Sequence, residues 1–197
     1  MSYVEILILR HLRIRPAHGY ELRKRVEETA GVLLHNNSLY PALRRFEEAS
    51  AVTKTAELQE GRPPKHVYEL TDVGHELLHD MLAELPAEQA GDDTEFVARL
   101  GQFGLLTPQE RRAVLASRGR ALVARLEHLR RQHDRARGEL WADTVTARLI
   151  RQTEAELTWL VDLDALADSP YDEMRSTGPD TQSSPNAELS PDTESPS

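Results

Sequence analysis

The stretch NSLYPALRRFEE, residues 37–48, decides the fold of this chain. Leu39, Leu43 and Phe46 recur within it at the spacing i, i+4, i+7, which is typical of a helix that buries one face. Three larger polar side chains fall elsewhere on the helix: Tyr40, Arg44 and Arg45. The stretch therefore predicts a short helix that packs by an apolar spine and presents a basic, hydrogen-bonding face.

A β-hairpin is predicted soon after this helix. Residues 51–57 and 66–70 have the composition of strands, and the sequence Gly-Arg-Pro-Pro-Lys at 61–65 lies between them. Two further helices are predicted upstream, one between Ser2 and Pro16 and one over residues 20–29. A basic-faced helix followed by such a hairpin is typical of a winged helix-turn-helix, in which the helix enters the major groove of DNA.

The second half of the chain is predicted to be helical. Thr107-Pro108-Gln109-Glu110 combines a capping box with proline at the first helical position. The helix that starts there carries a narrow apolar seam of Leu115, Leu122, Leu126 and Leu129, and a last helix carries Leu149, Leu157 and Leu160. Such a seam is typical of a coiled coil, so we expect these leucines to form a dimer interface. The alternative is a helical hairpin within one chain.

Composition and charge suggest three segments. Residues 1–85 are predicted to be a winged helix-turn-helix DNA-binding domain and residues 86–168 a helical dimerisation and effector domain. Residues 169–197 are rich in Ser, Pro, Asp and Glu, which predicts a disordered acidic tail. The net charge of −9 argues against nucleic-acid binding, but residues 10–25 hold six Lys or Arg and one acid, and DNA responds to such a local patch.

Several protein classes are disfavoured by the composition. The chain has no cysteine, which excludes disulfides and suits a reducing cytoplasm. The apolar run Ile6–Leu9 is too short to cross a bilayer, so no membrane association is expected. No phosphate-binding glycine loop or cysteine nucleophile is present, and we expect neither a cofactor nor enzymatic activity.

Three motifs resemble the PadR family of bacterial transcriptional regulators: His18-Gly19-Tyr20-Glu21-Leu22, Ser38–Arg45, and Gly61-Arg62-Pro63-Pro64-Lys65 followed by Tyr68–Thr71 and Gly74. The helical region 92–166 is similar to the larger C-terminal domain of an AphA-like subgroup. The resemblance implies a mainly α protein with a small wing, acting as a homodimeric repressor on a near-palindromic operator in double-stranded DNA. It also implies release of DNA by a small, often aromatic, effector. Ser50 and Glu69 depart from the family pattern, since Ser50 stands where a glycine is usual.

Nine residues are candidates for DNA contacts: Arg23, Lys24, Asn37, Ser38, Tyr40, Arg44, Arg45, Arg62 and Lys65. Arginine binds guanine or phosphate in a bidentate manner, whereas contacts from the second helix and the wing would position the protein on the backbone. The alternatives are solvated or ion-paired side chains, and helix capping for Asn37 and Ser38. The aromatic residues Phe96, Phe103, Trp141 and Trp159 are candidates for an effector pocket, with core packing as the alternative.

A competing motif lies in the predicted fourth helix. His75-Glu76-Leu77-Leu78-His79 has the H-E-x-x-H spacing of zinc peptidases, in which two histidines bind the metal and the glutamate acts as general base. A zinc metallopeptidase is therefore one alternative function, although no third ligand is indicated. A winged-helix module that binds proteins and has lost DNA binding is another.

Overall fold

The computed structural model describes residues 2–31, 36–59, 62–135 and 138–169. The elements of the N-terminal half are α1 (Tyr3–Ile14), β1 (Ala17–His18), α2 (Gly19–Ala30), α3 (Asn36–Glu48), β2 (Val52–Gln59), β3 (Arg62–Leu70) and α4 (Asp72–Ala83). Those of the C-terminal half are α5 (Asp93–Leu100), a 3-10 turn (Phe103–Leu105), α6 (Pro108–Arg135) and α7 (Leu140–Ala165). The predicted tail, apart from Ser169, lies outside the described residues.

Local signals set the ends of the N-terminal helices. The backbone N–H of Ser2 donates to Glu5 Oε2 at 2.7 Å, which caps α1. Gly31 ends α2 in the left-handed conformation, with φ of 66°. Thr71 Oγ1 accepts a hydrogen bond from the Gly74 N–H at 3.1 Å and caps α4. These ends are encoded within a few residues, so the sequence predicts them well.

The sheet has three antiparallel strands in the order β1-β3-β2. The predicted hairpin is confirmed, but β3 begins at Arg62, so residues 62–65 belong to a strand and not to the hairpin tip. Residues 60–61, which lie between the strands, are outside the described part. The two-residue strand β1 was not predicted, because its only support is pairing of Ala17 with Tyr68 and His18 with Val67.

The winged domain is built on one apolar core. The spine of α3 is buried as predicted, with Leu39, Leu43 and Phe46 at most 4% exposed. Helix α1 packs against α2, α4, α5 and β3, which explains why Ile6, Leu7, Ile8 and Leu9 are all buried. Burial on several sides makes α1 the central element of the domain.

The C-terminal half is dominated by an antiparallel hairpin of α6 and α7. Helix α6 starts with the predicted capping box, in which the Thr107 N–H donates to Glu110 Oε2 at 2.8 Å. It runs without a break through Gly119, where a Cβ atom would lie 3.8 Å from Leu160 Cδ1 of α7. An ion pair between Arg130 and Glu154, at 2.8 Å, also links the two helices.

The hairpin shows that the leucine seam does not need a second chain to be buried, contrary to the dimer interface expected from the sequence. Leu115, Leu122, Leu126 and Leu129 are at most 8% exposed within a single chain. Helix α7 covers them, and Leu160 is buried with them while Leu149 and Leu157 are half-buried. The inference that the seam needs a second chain was wrong, because the intramolecular alternative already removes it from water. The buried leucines are thus covered within one chain, whereas Leu149 and Leu157 keep part of their surface exposed.

Three buried arginines hold together the segments around α5 and the hairpin. Arg118 of α6 is fully buried and donates to Glu156 of α7, to Asp93 of α5 and to the Ala90 carbonyl at 2.9 Å. Arg99 donates to the Met81 and Glu84 carbonyls, and Arg111 donates to those of Phe103, Ala167 and Ser169. The buried apolar cluster runs without interruption from Ile6 to Leu160.

Gly74 provides a test of the contact between α4 and the start of the wing. A Cβ atom at Gly74 would lie 2.1 Å from the Ala51 carbonyl oxygen. We predict that Gly74→Ala lowers the free energy of unfolding by about 1–3 kcal/mol through overpacking. Gly91→Ala is the control, because nothing lies within 4 Å of its Cβ position. Thermal denaturation of both variants decides the point, and equal melting temperatures would contradict it.

Ser50 provides a second test, at the turn between α3 and β2. Its φ of 58° lies in the left-handed region, so the serine adopts the conformation that glycine usually provides there. We predict that Ser50→Gly raises the free energy of unfolding by about 1 kcal/mol by removing this strain. Ser50→Ala keeps the Cβ atom and should give no gain in chemical denaturation. A destabilised glycine variant would show that the turn is not strained.

Candidate nucleic-acid interface

Helix α3 has one buried face and one open face. Leu39, Ala42, Leu43 and Phe46 point into the core. Ser38, Tyr40 and Arg44 are exposed on the other side of the helix. The side chain of Asn37 lies outside the described residues. The open face carries hydroxyl and guanidinium donors, which is the chemistry that binds base edges and phosphates.

Arg44 is the most accessible cation of this helix. Its side chain is 80% exposed, and its Nε donates to Glu48 Oε1 at 2.9 Å one turn further along. An exposed i, i+4 pair of this kind contributes little to stability. Arg44 can therefore exchange Glu48 for a phosphate or a guanine at small energetic cost.

Arg45 has an internal partner. Its Nη2 donates at 2.5 Å to Oε1 of Glu5, whose side chain is 9% exposed. The same carboxylate caps α1 through Ser2, so Arg45 fastens α3 to α1. The ion-paired alternative thus holds for Arg45, and its partner is a glutamate 40 positions away in the sequence. The separation in sequence explains why the pattern of α3 alone does not indicate it.

The basic run of α2 is largely balanced by acids of the same helix. Arg23 lies 3.8 Å from Glu27, and Lys24 lies 3.9 Å from Glu28. A further glutamate, Glu21, contacts both Arg15 and Arg25. The excess of positive charge expected from residues 10–25 is thus reduced at the surface, and DNA phosphates would have to compete with these glutamates.

A cleft separates the start of α2 from α3 and the wing. It has a volume of about 380 Å³ and is lined by tyrosines, histidines and Lys65, one of the candidate DNA contacts. The ring of Tyr40 closes one side and is 45% exposed. The side chain of Arg62, the other candidate on the wing, lies outside the described residues. The structure brings Tyr40 and Lys65 together at this cleft, with Ser38 and Arg44 on the same helix as Tyr40.

Comparison with known proteins identifies the domain that carries this interface. Residues 8–80 match the model of the "Transcriptional regulator PadR-like family". A PadR family transcriptional regulator from Eggerthella lenta is 33% identical, with alignment over 40% of this chain and 68% of that chain and a TM-score of 0.37. The chain belongs to the PadR-like family of transcriptional regulators.

Two more solved structures illustrate the range of similarity to this PadR-like chain. The protein TA0346 from Thermoplasma acidophilum is 36% identical over 39% of this chain and 72% of its own, with a TM-score of 0.36. PadR from Bacillus subtilis, in complex with operator DNA, is 21% identical over 84% of this chain and 98% of its own, with a TM-score of 0.40. Comparison with curated proteins gives no match.

The four aromatic residues proposed for an effector pocket do not form one. Phe96 is 1% exposed and packs edge-to-face on Trp159, with ring centroids 6.1 Å apart. Trp141 is 78% exposed and lies 18 positions before Trp159 on α7, about 27 Å along the helix axis at 1.5 Å per residue. Phe103 is half-buried in the 3-10 turn. Core packing therefore explains Phe96, and the proposed pocket is corrected.

The H-E-x-x-H motif lies on α4 of the PadR-like domain. His79 Nε2 is 3.4 Å from Glu110 Oε1 of α6, and His75 is exposed. Within the described ranges, no group of three or more His, Asp or Glu side chains is arranged to hold a metal ion. The geometry thus gives the zinc hypothesis no support, and the contact of His79 with Glu110 joins the two halves of the chain. In the same ranges no helix is long and apolar enough to span a bilayer.

The different surroundings of Arg44 and Arg45 generate a paired prediction. Arg44→Ala should weaken operator binding at least about tenfold, because an exposed donor to base or phosphate is lost. Its free energy of unfolding should change by less than about 0.5 kcal/mol. Arg45→Ala should lower that free energy by about 1 kcal/mol, since it leaves Glu5 without its cation.

Fluorescence anisotropy with a selected operator and chemical denaturation measure the two quantities. Lys54→Ala, an exposed change on β2 outside the candidate set, is the control. Unchanged operator affinity in Arg44→Ala would remove Arg44 from the interface, and unchanged stability in Arg45→Ala would contradict the anchoring role.

Proposed function

We propose that this PadR-like chain binds double-stranded operator DNA as a homodimer and acts as a ligand-responsive repressor. The observation that supports DNA binding best is the open face of α3, with Tyr40 and the 80%-exposed Arg44 beside Lys65 of the wing. A rigid helix with its opposite face in the core can enter a major groove without refolding. Ser38 and Tyr40 would contact phosphates, and Arg44 would contact a base or a phosphate.

The interaction-module alternative has one supporting observation. The glutamates that pair with Arg23 and Lys24 reduce the positive potential of α2, as would suit a domain that has lost DNA binding. The exposed, weakly held Arg44 favours DNA instead. The dependence of binding on salt discriminates between the two functions, because phosphate neutralisation releases counterions and protein contacts with mixed charge do not.

A dimer would place the α3 helices of its two subunits on one face of DNA, about one helical turn or more apart. The leucine seam is not available for this role, but the hairpin has other large apolar side chains in water. On α6 and α7 these are Val123, Leu140, Trp141, Val145 and Val161, each at least 47% exposed. Leu140, Trp141 and Val145 lie within the first two turns of α7, and neighbouring exposed apolar side chains mark interaction sites. A second copy of the hairpin is the partner that we propose.

We propose that the ligand response uses a cavity that touches both halves of the chain. A cavity of about 440 Å³ lies between α1, α2 and α5, with Leu7, Ala30 and Val97 among its lining residues. Tyr3 and Arg10 add a phenol and a cation. An effector bound there would favour one orientation of α5 against α1 and so shift the population of dimers away from the DNA-binding geometry.

DNA binding is tested by a salt titration of operator affinity. We predict that log affinity falls linearly with log salt, with a slope of about −5 if the dimer neutralises six phosphates. Fluorescence anisotropy at several ionic strengths measures the slope. The absence of operator binding even at low salt would favour the interaction module.

The dimer is tested by a charge on the exposed face of the hairpin. Trp141→Asp combined with Val145→Asp should give monomers and weaken operator binding, because each carboxylate would be buried without a partner. Val73→Asp is the control, since Val73 is 48% exposed but lies on α4. Sedimentation velocity measures the association state. A stable dimer in the double variant would show that this face is not the interface.

A further inference from the structure

A small cleft lies where α1, α4 and the 3-10 turn meet. Its lining residues are Arg13 of α1, His75, Leu78 and His79 of α4, and Leu105 of the 3-10 turn. The cleft has a volume of about 160 Å³, whereas small-molecule sites usually have about 300–1,000 Å³. A cleft of this size suits a few side-chain atoms of a peptide better than a whole metabolite. We call it the histidine cleft.

The polar residues of the histidine cleft favour an anionic partner. Arg13 is exposed, and among the residues that the structure describes no carboxylate pairs with its guanidinium. The same holds for the exposed side chain of His75. His79 has two carboxylates nearby, since Glu110 Oε1 lies 3.4 Å from its Nε2 and Asp80 Oδ1 lies 3.8 Å from its Nδ1. The cleft thus offers an available guanidinium beside two imidazoles.

The end of α7 is fixed next to the histidine cleft. The buried guanidinium of Arg111 donates through Nη1 to the carbonyls of Ala167 and Ser169, at 2.9 Å each. Its Nε donates to the Phe103 carbonyl at 2.7 Å. One guanidinium therefore holds Ser169 close to the 3-10 turn, and Leu105 of that turn lines the cleft. The chain that follows Ser169 starts beside the cleft.

The sequence that follows Ser169 is complementary to the histidine cleft. It reads Pro170-Tyr171-Asp172-Glu173, with a phenol ring, two adjacent carboxylates and no cation. Four residues span at most about 14 Å when fully extended, which exceeds the diameter of a helix with its side chains, about 10–12 Å. A carboxylate binds a guanidinium strongly and accepts a hydrogen bond from an imidazole N–H. The segment is therefore long enough and has the chemistry to fill the cleft.

We propose that residues 170–173 occupy the histidine cleft of their own chain. The carboxylates of Asp172 and Glu173 bind Arg13 and the two imidazoles, so that this segment ties the end of α7 to α1 and α4. The contact is intramolecular, because Arg111 fixes the start of the segment beside the cleft and so gives the carboxylates a high effective concentration. The H-E-x-x-H spacing serves this contact by placing two imidazoles one turn apart on α4. The contact does not depend on DNA binding by the chain.

The backbone dynamics of the full chain test the proposal. NMR order parameters of residues 171–173 should be about 0.85, as in a rigid backbone, whereas those of residues 185–195 should be below about 0.6. Arg13→Glu should lower the order parameters of residues 171–173 below about 0.6, because the carboxylates are then repelled. Arg13→Glu combined with Asp172→Lys and Glu173→Lys should restore them, since the charges are exchanged.

The matched control variant is Arg15→Glu. Arg15 is another exposed arginine at the C-terminal end of α1, but it binds Glu21 of α2 at 3.0 Å and does not line the histidine cleft. The order parameters of residues 171–173 should be unchanged in it. Three outcomes would overturn the proposal: order parameters below about 0.6 in the unaltered chain, an equal loss in Arg13→Glu and Arg15→Glu, or no restoration in the triple variant.

A mixing experiment separates a contact within one chain from a contact between two copies. The Arg13→Glu chain is labelled with ¹⁵N and equilibrated with an excess of the unlabelled, unaltered chain. The order parameters of the labelled residues 171–173 should stay below about 0.6, because the cleft of their own chain is altered. Restoration to about 0.85 would show that the segment binds the cleft of a second copy, and the intramolecular contact would be overturned.

Discussion

The buried guanidinium of Arg118 is the contact on which the position of α5 against the hairpin of α6 and α7 depends. It is fully buried, its Nε lies 2.8 Å from Glu156 Oε1, and it stacks on Phe96 with its Cζ 5.4 Å from the ring centre. Through Asp93 and the Ala90 carbonyl it also holds the segment that leads into α5. Removing one partner of such a buried pair is strongly destabilising, because the other charge stays in a low-dielectric site.

From this contact a series of polar links reaches α3. Asp93 and Glu95 both lie on α5, and Glu95 accepts the Tyr3 N–H at 2.7 Å and pairs with Arg99 at 2.8 Å. Two positions further along α1, Glu5 binds Arg45 of α3. The hairpin, α5, α1 and α3 are thus joined by charge-assisted hydrogen bonds with few intervening atoms. Such links hold their geometry better than apolar contacts alone, which suits a protein that has to present α3 in a fixed orientation.

The two neighbouring arginines of α3 differ in the carboxylate that binds them, since the Glu5 side chain is buried and the Glu48 side chain is exposed. Arg45 is held by a carboxylate that the core surrounds, whereas Arg44 is held only by a solvated glutamate of its own helix. Arg45 thus links α3 to α1, whereas the neighbouring Arg44 is available to a binding partner. Adjacent positions on a helix diverge by about 100°, so one faces α1 and the other faces solvent.

The sequence by itself determined most of the secondary-structure elements and the protein family. The spine of Leu39, Leu43 and Phe46 and the caps at Ser2, Thr71 and Thr107 depend on residues a few positions apart. The hairpin of the wing pairs two strands that follow each other in the sequence. Short-range patterns of this kind favour a local structure before any tertiary contact forms. The motifs that mark the PadR-like family are also local, and the matched domain at residues 8–80 agrees with them.

Only the tertiary structure decided which surfaces meet. A leucine seam can pack against a helix of its own chain or against a helix of a second chain, and the sequence does not distinguish the two. In the structure α6 packs on α7 of the same chain. The pairing of Arg45 with Glu5, the strand β1 and the separation of the four aromatic residues were not predictable for the same reason. Each depends on contacts between distant parts of the chain, and periodicity reports that a face is buried without reporting what buries it.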